Sequence, residues 1–242
     1  MKALIFAAGL GTRLKPITDR LPKALVTVDG RTLLDRTIER LIDAQTSEIV
    51  VNVHHLGDQI VEFLAAKNYP VSVKISDERA KILDTGGGLK KAFTCFSDTD
   101  DPILVHNVDI LHNADLTALY RASQRGQVML MVSDRPTSRY LLFDENDRMC
   151  GWTNIKTGEV RTPYDHLDLT KMRRLAFSGI HCVKPEVVRM MDTMPEVFPI
   201  MDFYISRCNE IDIRAYVPQD LRLLDVGKID SLSAAEAFVK TL

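Results

Sequence analysis

The chain has 242 residues and a net charge of −2, with 31 lysines and arginines against 33 aspartates and glutamates. A nucleic-acid-binding protein is expected to carry a basic surplus, and a polybasic membrane anchor needs clustered Lys and Arg, so this charge balance argues against both. No apolar run approaches the roughly 20 residues of a membrane span, and the apolar start at residues 3–8 is too short for a signal peptide. We therefore expect a cytoplasmic, globular protein with one domain over residues 1–242.

The four cysteines, at positions 95, 150, 182 and 208, are widely spaced and form no C-x-x-C pair. No histidine stands at zinc-finger spacing from them either. A disulfide framework or a zinc cluster is therefore not expected, and reduced, mostly buried thiols are the simpler interpretation.

Apolar runs alternate with amphipathic stretches from the N-terminus to residue 133. The runs that predict buried strands cover residues 3–8, 48–53, 71–76, 102–109 and 127–133. Helical periodicity follows in residues 31–45, with Thr32 as a candidate N-cap, and again in residues 57–67 and 114–124. This alternation predicts an α/β fold with a mostly parallel central sheet and helices on both faces.

The pattern changes after Pro136. Short strand-like pieces in residues 139–161 are separated by the turn-forming sequences DEND and KTGE, which predicts antiparallel hairpins in a small inserted subdomain. An apolar strand at 175–183, two helical stretches, late strands at 213–218 and 222–227 and a final helix from about Ser231 follow. We therefore expect the domain to have two halves that meet near residue 135.

A glycine-rich loop follows the first predicted strand, in the sequence AAGLGTRLKPITDRLPKAL of residues 7–25. Successive backbone N–H groups in such a loop form an anion-binding concavity, and glycine lets the backbone approach a phosphate chain closely. Arg13 offers a planar fork that matches phosphate oxygens, and Lys23 adds a compact positive charge. The residues predicted to bind polyphosphate are Ala8, Gly9, Gly11, Thr12 and Arg13.

Three alternative interpretations apply to this loop, and each requires features that can be compared with the sequence. A Walker P-loop requires Gly-Lys-Ser/Thr at its end, which this loop lacks. A dinucleotide-binding loop requires a third glycine and an immediate helix, whereas this chain has Leu14 and then Pro16. A plain glycine-rich turn accounts for the glycines alone but not for their combination with Arg13 and Lys23.

The same stretch resembles the signature of sugar-1-phosphate nucleotidylyltransferases, L-x-A-G-x-G-x-R-L-x-P-x-T-x-x-x-P-K-x-L. Ten positions match in order and spacing, and Phe6 stands where leucine is usual; the matches are Ala8, Gly9, Gly11, Arg13, Leu14, Pro16, Thr18, Pro22, Lys23 and Leu25. The resemblance extends more loosely to the C-terminus. It implies the nucleotide-diphospho-sugar transferase fold, with a nucleotide-binding half over about residues 1–135 and a sugar-binding half over about residues 136–242.

The segment LDTGGG, residues 83–88, leads into a predicted helix. Its glycines can bring backbone close to a flat or anionic group at a helix start, and the resemblance implies nucleotide binding by Thr85, Gly86 and Gly87. A flexible turn is the alternative. Glu78 lies just upstream, where its carboxylate can accept from guanine N1–H and N2–H₂ or from uracil N3–H, but an exposed acid is an equally good interpretation.

Two aspartates are candidate Mg²⁺ ligands. Asp109 ends the apolar run ILVHNVD, and the carboxyl ends of parallel strands are where open α/β sheets bind ligands. Magnesium prefers one or two carboxylates together with phosphates and waters. Asp225, in the sequence LLDVG, matches the second metal ligand of the family, with a loop or capping carboxylate as the alternative. The family usually has glycine before the first aspartate, and Val108 replaces it here.

The sugar side of the sequence is less specific. Gly179, in FSGI, resembles the glycine that lies against the sugar, but the family's Glu-Lys-Pro segment has no clear counterpart. The insertion offers Arg139, Asn154 and Lys156 only as polar residues, and Trp152 as either a sugar platform or subdomain core.

The resemblance implies a Mg²⁺-dependent enzyme that joins a nucleoside triphosphate and a sugar 1-phosphate, with Arg13 and Lys23 as catalytic cations. The short chain and the Thr-Gly-Gly-Gly and FSGI segments are most similar to N-acetylmuramate-1-phosphate uridylyltransferases and mannose-1-phosphate guanylyltransferase-like proteins. A phosphocholine cytidylyltransferase and a non-catalytic nucleotide-sugar-binding regulator are the alternatives. The base, the sugar and the oligomeric state stay open at this point.

Overall fold

A ten-stranded sheet runs through the middle of the computed structural model, which describes residues 1–242. Two further two-stranded ribbons lie beside it. In chain order the strands are β1 (Lys2–Phe6), β2 (Thr27–Val28), β3 (Arg31–Thr32), β4 (Glu48–Val53), β5 (Ser72–Asp77), β6 (Ile103–Asn107), β7 (Ile110–His112), β8 (Val128–Ser133), β9 (Arg139–Phe143), β10 (Met149–Asn154), β11 (Glu159–Arg161), β12 (Arg173–Val183), β13 (Ile213–Tyr216) and β14 (Leu223–Asp225).

Seven α-helices connect or flank these strands. They are α1 (Leu33–Asp43), α2 (Gly57–Ala65), α3 (Asp84–Phe93), α4 (Leu116–Ala122), α5 (Pro185–Met190), α6 (Ile200–Arg207) and α7 (Ser231–Val239). The predicted cap of α1 is confirmed, since the Thr32 side chain accepts a hydrogen bond from the Asp35 N–H. None of these helices has the length and apolar character needed to cross a membrane.

The sheet is partly parallel and partly antiparallel, which confirms the predicted α/β class. Strands β5, β4, β1 and β6 pair in that order and all run parallel. The eleven-residue β12 then pairs antiparallel with β6, β8 and β9, and β13 adds to β8 in parallel. Because β12 lies between β6 and β8, the predicted parallel pairing is continuous only through β5, β4, β1 and β6.

The hairpins predicted for the insertion are confirmed. Strands β9, β10 and β11 pair antiparallel in succession and continue the same sheet through β12. Strands from both sides of residue 135 therefore share one sheet, and the functional division at that point stays a prediction.

Helices cover both faces of the sheet and enclose two apolar clusters. One cluster packs α1, α2, α4 and α7 against the sheet, and the other packs α3, α5 and α6 against the opposite face. Burial of apolar surface on both faces contributes about 25 cal/mol per Å² removed from water, which holds the strand ends in fixed positions.

Candidate active site

A cavity of about 490 Å³ opens at the carboxyl ends of the parallel strands. Phe6 and Asn107 end β1 and β6, and Asn52 is the penultimate residue of β4. The three residues are paired in register, and all of them line the cavity. Open α/β sheets bind ligands at this edge because the connecting loops diverge there. The remaining lining residues are Ala7, Ala8, Gly9, Leu10, Gly11, Thr12, Arg13, Lys23, Glu78, Ile82, Asp84, Thr85, Val108, Asp109, Val197 and Gly227.

The N-terminal loop forms one wall of the cavity through three short 3-10 turns, and no α-helix begins there. Gly11 has a left-handed φ of +63°, and a Cβ at that position would lie 2.8 Å from Thr18 Cγ2. The Gly11 carbonyl accepts hydrogen bonds from the Leu14 N–H at 2.8 Å and the Thr18 hydroxyl at 2.9 Å. Gly9 differs, because a Cβ there would meet nothing within 4 Å. Glycine is thus needed for the turn at Gly11, whereas Gly9 leaves bare backbone beside open space.

Each predicted catalytic cation contacts a predicted metal ligand. The Lys23 ammonium forms an ion pair with Asp109, and both side chains are mostly buried. Arg13 Nη2 lies 3.9 Å from Asp225 Oδ2, and both of these side chains are about half exposed. The structure therefore brings all four residues to one end of the cavity, although they come from three distant parts of the chain.

The second aspartate reaches this site through a ribbon that the sequence does not predict. β14 pairs antiparallel with β7 and aligns Asp225 with Ile110, while the Val226 N–H donates to the Asp109 carbonyl at 2.9 Å. Burial and the neighbouring Asp109 charge raise the pKa of Asp225, and the charges of Lys23, Arg13 and Arg135 lower it. A cation between the two carboxylates would relieve their repulsion.

Gly227 makes the approach of Arg13 to Asp225 possible. A Cβ at Gly227 would lie 2.7 Å from Asp225 Oδ1 and 2.8 Å from Arg13 Nη2. The sequence signal for this role is the glycine of the LLDVG segment, two residues after Asp225. Val108, the substitution next to Asp109, is buried in the core and lines the cavity wall.

Asn52 is a site residue that sequence reasoning missed. Its Oδ1 accepts from the Ala7 N–H at 2.7 Å and the Ala8 N–H at 3.2 Å, and its Nδ2 donates to Glu78 Oε1 at 2.8 Å. One amide thus ties the start of the glycine-rich loop to a buried carboxylate. Ala8 is predicted from the sequence to bind phosphate, but its N–H donates to Asn52 Oδ1 in this structure.

Glu78 is buried in the cavity wall and is not an exposed surface acid. Its Oε2 accepts from the Leu83 N–H at 3.2 Å, in addition to the bond that Oε1 accepts from Asn52. Burial raises its pKa, against the lowering effect of these two hydrogen bonds. Each carboxylate oxygen has two lone pairs, so each retains one for a ligand.

The glycines of the LDTGGG segment lie inside α3, which begins at Asp84. A Cβ on Gly86 would lie 2.2 Å from the Phe198 ring, and one on Gly87 would lie 2.2 Å from the Glu196 carbonyl oxygen. Both glycines are buried and neither lines the cavity. Only Thr85 of the three predicted residues lines it, with its hydroxyl accepting from the Ile200 N–H at 2.9 Å.

Gly179 lies next to the cavity in β12, with a left-handed φ of +77°. A Cβ there would lie 2.9 Å from the Asn107 side-chain nitrogen, so the glycine makes room for that amide.

Trp152 does not line the cavity and packs against the core, with the Arg161 guanidinium 5.9 Å from its ring centroid. Arg139, Asn154 and Lys156 do not line the cavity either.

Sequence comparison relates this chain to known enzymes over nearly its whole length. Residues 2–241 match the nucleotidyl transferase family. N-acetylmuramate alpha-1-phosphate uridylyltransferase of Caulobacter vibrioides is 35% identical, with 97% of this chain and 95% of that protein aligned. Mannose-1-phosphate guanyltransferase of Eremothecium gossypii is 29% identical over 83% of this chain, which spans 56% of that protein.

Solved structures share the fold at lower identity. HddC from Yersinia pseudotuberculosis has a TM-score of 0.79 and 20% identity, with 98% of this chain and 99% of that chain covered. A UDP-glucose pyrophosphorylase complexed with UDP-glucose has a TM-score of 0.77 and 15% identity, with 100% and 99% covered. These structures confirm the predicted fold, and the family match and the uridylyltransferase relative confirm the predicted enzyme class. The chain belongs to the nucleotidyl transferase family and is a sugar-1-phosphate nucleotidyltransferase.

Proposed function

We propose that this enzyme joins UTP and N-acetylmuramate 1-phosphate to form the UDP-sugar and pyrophosphate. The observation that carries the proposal is the pairing of Arg13 with Asp225 and of Lys23 with Asp109 at one end of the cavity. The choice of substrates follows the relative that aligns over almost the full length of both chains. Phosphoryl chemistry of this kind depends on positioning and electrostatic stabilisation, and this arrangement supplies both.

In the proposed reaction a phosphate oxygen of the sugar 1-phosphate attacks the α-phosphorus of the triphosphate. The bond from that phosphorus to the bridging oxygen breaks, and pyrophosphate leaves with the electron pair. The amides of Gly9, Gly11 and Thr12 and the guanidinium of Arg13 bind the β- and γ-phosphates. Lys23 bridges the attacking phosphate and the α-phosphate, where two anions must approach each other.

The charge of the site supports a requirement for Mg²⁺. The cavity is lined by two cations, Arg13 and Lys23, against three carboxylates, Glu78, Asp84 and Asp109, and Asp225 lies beside it. No third His, Cys, Asp or Glu joins Asp109 and Asp225 in a metal-binding group, so phosphates and waters would complete the coordination. Mg²⁺ held by the two aspartates would neutralise charge on the α-phosphate.

Glu78 supports a second candidate, guanylyl transfer to mannose 1-phosphate. The free lone pairs on its two oxygens can accept from guanine N1–H and N2–H₂ together, whereas uracil presents only N3–H. Asn52 and the Leu83 amide hold this carboxylate in place from two sides. Mannose-1-phosphate guanyltransferases are also among the relatives of the chain.

Pyrophosphate release from a panel of substrates tests the proposal. The panel pairs UTP with N-acetylmuramate 1-phosphate, GTP with mannose 1-phosphate, and CTP with phosphocholine, each with and without Mg²⁺. Turnover at least tenfold faster with the first pair supports uridylyl transfer, and preference for the second supports the guanylyl alternative. Preference for the third pair, or nucleotide binding without turnover of any pair, would contradict both candidates.

A further inference from the structure

Strand β12 is irregular beside the cavity, at residues that have no role in the reaction proposed so far. Its pairing register with β8 shifts between Phe177 and His181. Gly179 lies in this shift and contacts the Asn107 amide, which lines the cavity. The Asn107 side chain makes no hydrogen bond to another protein group, so its donor and acceptor are available to a ligand in the cavity.

Arg135 approaches the same part of β12 from the connection between β8 and β9. Its Nη2 donates to the Phe177 carbonyl at 3.0 Å, and this bond holds the guanidinium two residues from Gly179. Arg135 is exposed and has no carboxylate within ion-pair distance.

The order of the strands separates the two substrates. β1, which carries the phosphate-binding loop, lies in the middle of the parallel group, and β4 and β5 lead to Asn52 and Glu78 on one side. Asn107 on β6 and Gly179 on β12 lie on the other side of β1. If the base occupies the side of Glu78 and the triphosphate follows the central loop, the second substrate must enter from the side of β6 and β12.

The charge balance points to a cation on that second side. Arg13 and Lys23 are each paired with an aspartate. In the proposed reaction Arg13 binds the β- and γ-phosphates, and Lys23 is shared between the attacking phosphate and the α-phosphate, so the second phosphate has no cation of its own. Arg135 has no carboxylate partner. A guanidinium matches two phosphate oxygens in a fork, and a neutral amide suits sugar hydroxyl or acetamido groups.

We propose that Arg135 and Asn107 form the subsite for the second substrate, in which Arg135 binds the phosphate of the sugar 1-phosphate and Asn107 hydrogen-bonds to the adjacent sugar. This assignment rests on the proposed function. Arg135 is then a substrate-binding cation supplied by the connection between β8 and β9, and Gly179 shapes the subsite by leaving room for Asn107.

Steady-state kinetics of four variants test the subsite, with N-acetylmuramate 1-phosphate and UTP as substrates. Loss of a charge-assisted hydrogen bond predicts a rise in the KM for the sugar 1-phosphate of about 10- to 100-fold in Arg135→Ala, with the KM for UTP within twofold of the wild type. Arg135→Lys should recover part of the loss, and Asn107→Ala should raise the same KM. Arg121→Ala is the matched control, because Arg121 is an exposed arginine on α4 without an ion pair or side-chain hydrogen bond.

The reverse reaction separates a binding role from a structural one. Arg135→Ala should leave the KM for pyrophosphate unchanged, whereas general damage to the cavity would raise it. If Arg135→Ala leaves the KM for the sugar 1-phosphate unchanged, or raises the KM values of both forward substrates equally, the subsite is overturned. The proposed function still holds in that case, provided that the wild-type enzyme turns over UTP and N-acetylmuramate 1-phosphate. A wild-type enzyme that turns over no pair in the panel removes the proposed function and this subsite together.

Discussion

Two cation–carboxylate pairs of different burial stand at the end of the cavity, and this difference shapes what each cation contributes. Lys23 and Asp109 are mostly buried, so their interaction is weakly screened, whereas Arg13 and Asp225 are about half exposed. In the proposed reaction both cations turn toward phosphate oxygens. Their present partners are the two carboxylates that would hold Mg²⁺, so substrate and metal would exchange these contacts together.

Removing either cation should abolish most turnover without unfolding the protein. We expect Arg13→Ala and Lys23→Ala to lower kcat/KM by two to three orders of magnitude, since loss of one such donor costs about 3 to 4 kcal/mol. Activity assays with circular dichroism melting measure both effects. Lys15→Ala is the control, because Lys15 is an exposed lysine of the same loop whose ion pair is with Asp19. Wild-type activity in either cation variant would exclude that residue from catalysis.

The two aspartates make a separate prediction, which concerns metal dependence. Asp109→Asn and Asp225→Asn keep the side-chain shape and remove one negative charge each, so the Mg²⁺ concentration for half-maximal activity should rise at least tenfold in each variant. Mg²⁺ titration of pyrophosphate release at saturating substrates measures this shift. If both variants titrate like the wild type, the metal site lies elsewhere.

At the scale of secondary-structure elements, the glycines of α3 serve packing against a neighbouring segment. The Gly86 N–H donates to the Phe198 carbonyl at 2.9 Å, and the Phe198 N–H donates to the Leu83 carbonyl at 3.3 Å. The segment that follows α5 is thus bonded directly to the first turn of α3, and it brings Val197 to the cavity wall. A side chain larger than glycine at Gly86 or Gly87 would separate these elements.

Alanine substitutions should distinguish packing glycines from ligand-facing ones. Gly86→Ala and Gly87→Ala place a Cβ 2.2 Å from its nearest neighbour, so each should lower the free energy of unfolding by about 1 to 3 kcal/mol. Gly9→Ala meets no protein atom and should keep stability within about 0.5 kcal/mol of the wild type, while the added methyl obstructs phosphate binding and raises the KM for UTP. Urea unfolding and steady-state kinetics measure the two effects. Equal stability of all three variants would contradict the packing role.

At the scale of the whole molecule, three buried histidines make the stability of the protein depend on pH. His106 Nδ1–H donates to the Asn107 carbonyl, and His112 Nδ1 accepts from the Ala114 N–H, so His112 Nε2–H must donate to His106 Nε2 at 2.9 Å. If His106 Nε2 were also protonated, two N–H donors would face each other with no acceptor between them. Burial lowers the pKa of His106 to about 4 and of His112 to about 2. His181, whose ring nitrogens have no partner, has its pKa lowered by burial to about 3.

Stability should therefore fall in mild acid. The unfolded chain binds these protons below a pKa of about 6.5 and the folded chain does not, so the free energy of unfolding decreases as the pH falls from about 6.5 toward 4. Each histidine contributes a slope of up to about 1.4 kcal/mol per pH unit in this window. Above the window this slope is zero, because the histidines are neutral in both the folded and the unfolded chain. Urea unfolding at pH 7.5, 6.0 and 5.0 measures the slope.

Single variants identify the groups that cause this slope. His181→Phe should reduce it by one proton, because phenylalanine keeps the buried ring and cannot be protonated. His166→Gln is the control, since His166 is exposed and its replacement should leave the slope unchanged. A stability that does not vary between pH 7.5 and 5.0 would contradict neutral, buried histidines.

Local patterns determined much of this protein. The spacing of Gly9, Gly11, Arg13 and Lys23 is contained in one short segment, so the phosphate-binding loop and the family are predictable from the sequence. Apolar periodicity predicted most of the longer strands and helices, because burial of one face imposes a repeat on neighbouring residues. The apolar run ILVHNVD indicated Asp109, which follows β6 by two residues, and the family resemblance indicated Asp225, which ends β14.

Only the tertiary structure decided which strands pair and which distant side chains meet. The place of β12 between β6 and β8, the β7–β14 ribbon and the closeness of Asn52 to Glu78 depend on contacts between residues far apart in the chain. The glycines of α3 also could not be assigned from the sequence. A Thr-Gly-Gly-Gly segment that packs against Phe198 has the same local sequence pattern as one that binds a ligand. Periodicity reports that a face is buried, and the partner that buries it is set by the packing of the whole chain.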